Sequence, residues 1–303
     1  MKQIKFLSLI VAIALVSCVE EAAYDNDQLT GNENPEVVAP DYTDYLTLVV
    51  DSELTKTTLE GKTVKWSDGD KIKIYFEGGS AESLGAVVSE DGAKASFTIP
   101  LTESLADDVK LYAVYPSTAT ATLEEGVFNV TIPAEQSVQF RNADILAAAT
   151  TVADARLHFQ HVAGLISFVI SDGNPKGIDS GVFKDFFKST GIVGVCPLTF
   201  DETGTMTIGT PFETKSEISL KDIQEGENFI AILPDVTMES VGLKLKANGK
   251  YLTPKVSDND LTVSAAHIRA IKSAVDVDMG DAYYIKEGAT GKGTSWADAP
   301  SLI

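Results

Sequence analysis

Apolar positions in this chain recur in short alternating runs, with turn residues between them. Lys71-Ile72-Lys73-Ile74-Tyr75-Phe76 alternates strictly, which predicts a strand with Ile72, Ile74 and Phe76 on one buried face. The same reading predicts strands over 109–115, 127–132, 163–170, 229–233, 241–245 and 274–278. Ahead of the first run, Trp66-Ser67-Asp68-Gly69-Asp70 reads as a turn, because Asp-Gly tolerates the positive φ of a tight hairpin. Helical spacing stands out once. Val182, Phe183, Phe186 and Phe187, behind Asp179 as a cap, predict a short helix over 179–189. Its aromatics would either pack on a sheet or form an exposed partner-binding ridge. A weak internal echo links Leu111-Tyr112-Ala113-Val114-Tyr115-Pro116 to Phe229-Ile230-Ala231-Ile232-Leu233-Pro234. In both, an apolar strand closes on proline, which cannot donate into a ladder. The pattern predicts an all-β protein of two sandwiches meeting near residues 155–162.

The N-terminus has another layout. Lys2 and Lys5 precede an apolar stretch from Phe6 to Val16, then Leu15-Val16-Ser17-Cys18. This is the arrangement of a secretory signal, with an apolar stretch too short to span a bilayer comfortably. Leu-Val-Ser-Cys resembles a bacterial lipobox, which implies cleavage after residue 17 and a lipid on Cys18; an ordinary signal peptide with a chance cysteine is the alternative. Each buried CH₂ of such acyl chains adds about 0.8 kcal/mol of membrane affinity. Glu20 and Glu21 resemble the acidic export signal of surface lipoproteins in Bacteroidetes-type bacteria, a bland acidic tail being the alternative. Residues 18–44 read as a lipid-anchored stalk, rich in Asp, Glu, Asn and Pro and poor in groups to bury. Its end-to-end span is on the order of 25–30 Å.

Charge narrows the partners. A formal net charge of -20 argues against nucleic acid, whose phosphates call for clustered Lys and Arg. With Cys18 committed to lipid, Cys196 is the only thiol left, so no intramolecular disulfide is expected. Stability then rests on hydrophobic burial, for which 44% hydrophobic residues suffice. The length suits one large all-β unit or two of average size.

A family resemblance is carried by several short motifs in order. Thr57-Thr58 with Val64-Lys65-Trp66-Ser67-Asp68-Gly69-Asp70-Lys71-Ile72 resembles the entry motif of fimbrillin-family proteins. Tyr115-Pro116, Ile132-Pro133-Ala134-Glu135-Gln136, Asp144-Ile145-Leu146-Ala147-Ala148 and Phe159-Gln160-His161-Val162-Ala163-Gly164-Leu165 continue it. Phe229 to Pro234 and a closing strand from Ile271 to Asp278 complete the match, over roughly residues 45–280. The resemblance implies two tandem transthyretin-like Greek-key β-sandwich domains, over 45–157 and 158–280. It further implies an outer-membrane lipoprotein precursor serving as pilus shaft, tip, anchor or related adhesin.

Assembly in that family resembles strand donation: a protease removes the first strand and a neighbour's C-terminal strand fills the groove. Leu46, Leu48 and Val50, alternating with Thr47 and Val49, are the candidate first-strand residues. Relatives cut by an arginine-specific protease have an arginine after that strand, whereas the first arginine here is Arg141. Lys56, Lys62 and Lys65 are the nearby candidates for processing, so either a lysine-tolerant protease acts or the chain is never trimmed. The tail 281–303 holds Ala289-Thr290-Gly291-Lys292-Gly293-Thr294-Ser295-Trp296-Ala297-Asp298-Ala299, which resembles the opening turn of pectate-lyase-like β-helix domains. It reads as a truncated β-helix start or as a donor strand.

Catalytic and metal-binding patterns do not assemble. His158 and His161 are three apart next to strand-like residues, and no Cys or carboxylate lies close in sequence to complete a zinc set. Asp68-Gly69-Asp70 lacks the closing Glu of a calcium loop. Lys292 precedes Gly293 instead of following it, so the phosphate-loop spacing fails, and no Gly-x-Ser-x-Gly elbow occurs. Cys196, ahead of Pro197 in an apolar run, reads as a buried structural thiol. Carboxylate pairs are too plentiful in so acidic a chain for any one to mark a glycosidase site. The expectation is a non-enzymatic surface lipoprotein without a cofactor, held to the outer membrane through Cys18. Its partners would be like or unlike pilus subunits, or a host or bacterial surface ligand. Two alternatives stay open: a glycan-binding module of an uptake system, with Tyr283, Tyr284 and Trp296 as its aromatic platform, or the N-terminal part of a β-helix polysaccharide lyase or adhesin.

Overall fold

The structure, a computed structural model, describes residues 41–50, 58–59, 62–63, 65–170, 177–185, 188–251, 255–256 and 260–270. Strands dominate it. The only helix among the described residues is the single turn Phe140–Ala143. No described helix is long and apolar enough to cross a membrane.

Two sheets pack around one buried cluster. One orders the strands Arg156–Leu157, Asp44–Val50, Ala95–Leu101 and Val87–Val88. The other orders Gln160–His161, Leu146–Thr151, Lys110–Tyr115, Lys73–Phe76 and Gly79–Glu82. Between them lie Leu48, Val50, Phe97, Ile99, Ile72, Ile74, Leu111 and Leu146, all in one buried cluster. The Asp68-Gly69 turn forms as expected, with Gly69 at φ 86°.

The strand 73–76 is buried on more than its predicted face. Ile72 and Ile74 are inside as expected and Phe76 is half-buried, but Tyr75 is buried as well. Its face of the sheet is covered by a third layer, where Tyr112 stacks on Phe128 at 5.3 Å and Tyr75 meets the same ring at 5.4 Å. A sheet covered on both faces carries continuous apolar runs, which accounts for Ala147-Ala148-Ala149 in its middle.

That third layer orders Met206–Ile208, Val193–Phe200, Val127–Ile132 and Ala121–Glu124, with Phe212–Lys215 also on Val193–Phe200. It joins early and late parts of the chain, since Phe128 pairs with Leu198 and Ile132 with Gly194. Just beyond, Glu135–Ser137 adds in parallel to Glu217–Lys221. That places it at the edge of a sheet continuing through Ile178–Asp185, Val241–Ala247 and Lys250–Tyr251. Gln136 binds here through its side chain. Its Nε2 donates to the carbonyls of Pro133 and Ala231, and its Oε1 accepts from Ala231 N, each at 2.8 Å. A three-stranded sheet of Gly226–Ile232, Gly164–Ile170 and Ile268–Ala270 shares the larger buried cluster with Phe183, Leu220, Leu243 and Leu245.

The helix expected over 179–189 is not formed: residues 178–185 are a strand. Phe183 is buried while Val182 and Lys184 are half-exposed, a period of two. Two partners decide the outcome, Glu217–Lys221 on one side and Val241–Ala247 on the other. Gly181 suits that close packing, since a Cβ there would stand 2.9 Å from the Lys244 carbonyl. Local apolar spacing is ambiguous between the two periods, and pairing on both edges overrides it. Phe186 and Phe187 lie outside the described residues, as do the expected closing strand to Asp278 and the 281–303 tail.

Candidate functional site: the first strand and its groove

The strand Asp44–Val50 alternates as its sequence predicts. Leu48 and Val50 are fully buried and Leu46 is half-buried, whereas Tyr45 and Val49 are exposed. Along one edge it pairs over its whole length with Ala95–Leu101, setting Leu46 opposite Ile99 and Leu48 opposite Phe97. Along the other edge only two pairs form, Val49 with Arg156 and Val50 with Leu157. Asp44 closes the start of the strand. Its carboxylate accepts from Ser104 Oγ at 2.6 Å and from Tyr45 N at 2.8 Å, contacts that hold its pKa below the usual range.

Beneath the strand lies an aromatic floor. Trp66 packs edge-on against Phe97 at 5.3 Å and Tyr115 at 5.0 Å, and tilts on Phe159 at 5.6 Å. Burying Leu48 and Val50 on that floor contributes roughly 3–6 kcal/mol. Without the strand, Phe97 and Ile99 would face water beside an unpaired edge, a state that only another strand can cover. The geometry holds the first β-strand in register.

A polar cluster adjoins Trp66. Ser67 N donates to Asp70 Oδ2 at 2.8 Å, Tyr115 Oη donates to Asp70 Oδ1 at 3.3 Å, and Arg141 binds both Asp70 and Ser67. Burial, reinforced by the Asp70 charge, pushes the Tyr115 phenol well above its ordinary pKa. Behind it, buried His161 Nδ1 contacts Asp144 Oδ1 at 2.6 Å. Residue spacing does not reveal this partner, because Asp144, just ahead of Leu146–Thr151, is brought to His161 by the pairing of Leu146 with His161. His158 is only half-buried, and no group of three metal-ligating side chains occurs among the described residues. Cys196 is buried opposite Val130, and burial pushes its thiol up to about 12.

Of the processing candidates, Lys65 is exposed, Lys62 opens the short strand Lys62–Thr63, and Lys56 lies outside the described residues. Cys18, Glu20 and Glu21 also lie outside them.

A family model described as Fimbrillin-like matches residues 55–286. The chain belongs to the fimbrillin-like family. The match begins just after the first strand and runs through the Trp66 turn, Gln136 and the later strands. Two solved structures are similar to this fimbrillin-like chain. One is a candidate cell adhesion protein from Bacteroides ovatus, at 18% identity over 76% of this chain and 91% of that one, with a TM-score of 0.42. The other is a candidate cell adhesion protein from Bacteroides thetaiotaomicron, at 13% identity over 67% of this chain and 77% of that one, with a TM-score of 0.28. A comparison with curated proteins gives no match.

Proposed function

We propose that this chain is a non-catalytic surface lipoprotein of the outer membrane, acting in cell adhesion or fimbria assembly by strand donation. The observation that carries the reading is the fimbrillin-like match, joined to a first strand seated by alternate side chains over an aromatic floor. Strand addition gains affinity from main-chain hydrogen bonds and register from alternating pockets, the two features that seat residues 44–50. In this reading Cys18 carries lipid, Glu20 and Glu21 direct surface export, residues 18–44 form the stalk, and cleavage falls after Lys56, Lys62 or Lys65. The two sandwiches, 45–157 and 158–280, would meet at a seam crossed by paired strands. A second reading, a permanently anchored adhesin, draws on Arg141: the first arginine lies beyond the strand and is engaged by Asp70 and Ser67.

Intact mass and N-terminal sequencing of protein from outer membrane and from sheared surface material test these readings. A new terminus after one of the three lysines, in heat-resistant polymers, supports a donating subunit. A lipidated Cys18 terminus with nothing in the sheared fraction supports the anchored adhesin. A mature terminus before residue 18 without lipid would overturn both.

A further inference from the structure

The outer face of the sheet that runs from Glu135–Ser137 to Lys250–Tyr251 carries a row of lysines. Lys244 and Lys246 project from one strand and Tyr251 from the next, where Tyr251 pairs with Lys246. The Lys244 ammonium lies 4.6 Å and the Lys246 ammonium 5.7 Å from the centre of the Tyr251 ring. About half of Tyr251 nevertheless remains exposed, at 52%. Two strands further on, exposed Lys221 extends the same face. None of these three lysines forms an ion pair among the described residues, whereas Lys184 on this face pairs with Glu217 at 3.3 Å. Glu135 at the far edge and exposed Asp179, which accepts from Ser180 Oγ at the bulge beside Lys246, are further carboxylates of the face.

We propose that this face binds an acidic polysaccharide, with a sugar stacked on Tyr251 and its carboxylate or sulfate groups on Lys244, Lys246 and Lys221. The spacing suits an extended polyanion. Lys244 and Lys246 stand about 7 Å apart along their strand, and Lys221 about 10 Å away across two strand intervals. This face offers a row of cations beside an aromatic ring. A sugar meets both demands, presenting a C–H face to the ring and an anion to the ammonium groups. In a chain of net charge -20, a local cationic row also selects where a polyanion can approach. This deepens and rests on the adhesive reading, for which it supplies a ligand class.

The full chain, as a soluble monomer, is titrated calorimetrically with polygalacturonate, heparin, neutral dextran and polyglutamate. Binding to polygalacturonate or heparin but not dextran, weakened at least tenfold by the Lys244→Ala/Lys246→Ala double substitution, is the expected result. Lys246→Arg, which keeps the charge, retains binding, and Tyr251→Ala weakens it. Absence of binding, equal binding of dextran, unaltered binding by the double variant, or polyglutamate binding as tight as either polysaccharide would each overturn the proposal. Circular dichroism of each variant separates a lost site from a lost fold. Because the titration requires neither lipid nor polymer, its failure alongside intact adhesion or assembly leaves the functional reading standing.

Discussion

Replacing Leu48 with alanine tests the register of the first strand. Leu48 is fully buried opposite Phe97, and its neighbour Val49, on the opposite face, is 37% exposed. Removing a buried leucine side chain costs about 3–5 kcal/mol, through lost burial and an unfilled cavity. For a domain of this size that lowers the melting temperature by roughly 6–20 °C. Val49→Ala, half in solvent, should stay within about 0.5 kcal/mol. The contrast is diagnostic, because slipping a strand by one residue exchanges its two faces. Trp66 reports on the same cluster from beneath the strand, so urea unfolding followed by its fluorescence, with Trp296→Phe as background, reads the effect directly. Equal losses in the two variants, or a loss below about 1 kcal/mol for Leu48→Ala, would refute the register and the groove built on it.

Other expectations follow from single contacts. Gln136→Leu strands the buried main-chain groups of Ala231 and the half-buried carbonyl of Pro133 and should cost about 2–4 kcal/mol in urea unfolding; an unchanged midpoint would count against the bridge. The Cys196 thiol should resist a disulfide reagent at pH 8 in the folded chain and react promptly in urea, because burial holds it protonated. Tyr115 gives a pH signature. Unfolded tyrosine ionises near pH 10, while burial and Asp70 keep the folded phenol protonated to higher pH. Its contribution is therefore complete below about pH 10 and is lost as pH rises further. In a Cys196→Ala background, Tyr115→Phe should flatten the decline of the urea midpoint above pH 10; parallel declines would refute the assignment.

Much of this fold is visible in local pattern. Strands 44–50 and 127–132 announce themselves by alternation because each has one buried and one wetter face. The Asp-Gly turn is equally legible, since it depends on one backbone conformation. Residues 178–185 are misread because four apolar residues fit either period, and the choice belongs to strands 217–221 and 241–247. The polar contacts at the site are hidden for a related reason: Asp70 with Arg141, Asp144 with His161 and Gln136 with Ala231 lie 71, 17 and 95 residues apart. Nothing in residue spacing reports a pair that only the finished sheet brings together. The first-strand residues are legible, while the aromatic floor holding them comes from four separate segments.

The pairing of 127–132 with 193–200 bears on how the chain folds as it is made. A polypeptide is made from its N-terminal end, so the earlier strand appears without its partner. It must wait, its edge open, until more than sixty further residues have followed. Such non-local pairing is slow and leaves an aggregation-prone interval. The newly made chain therefore has a defined window of vulnerability, which closes only when residues 193–200 are free to pair.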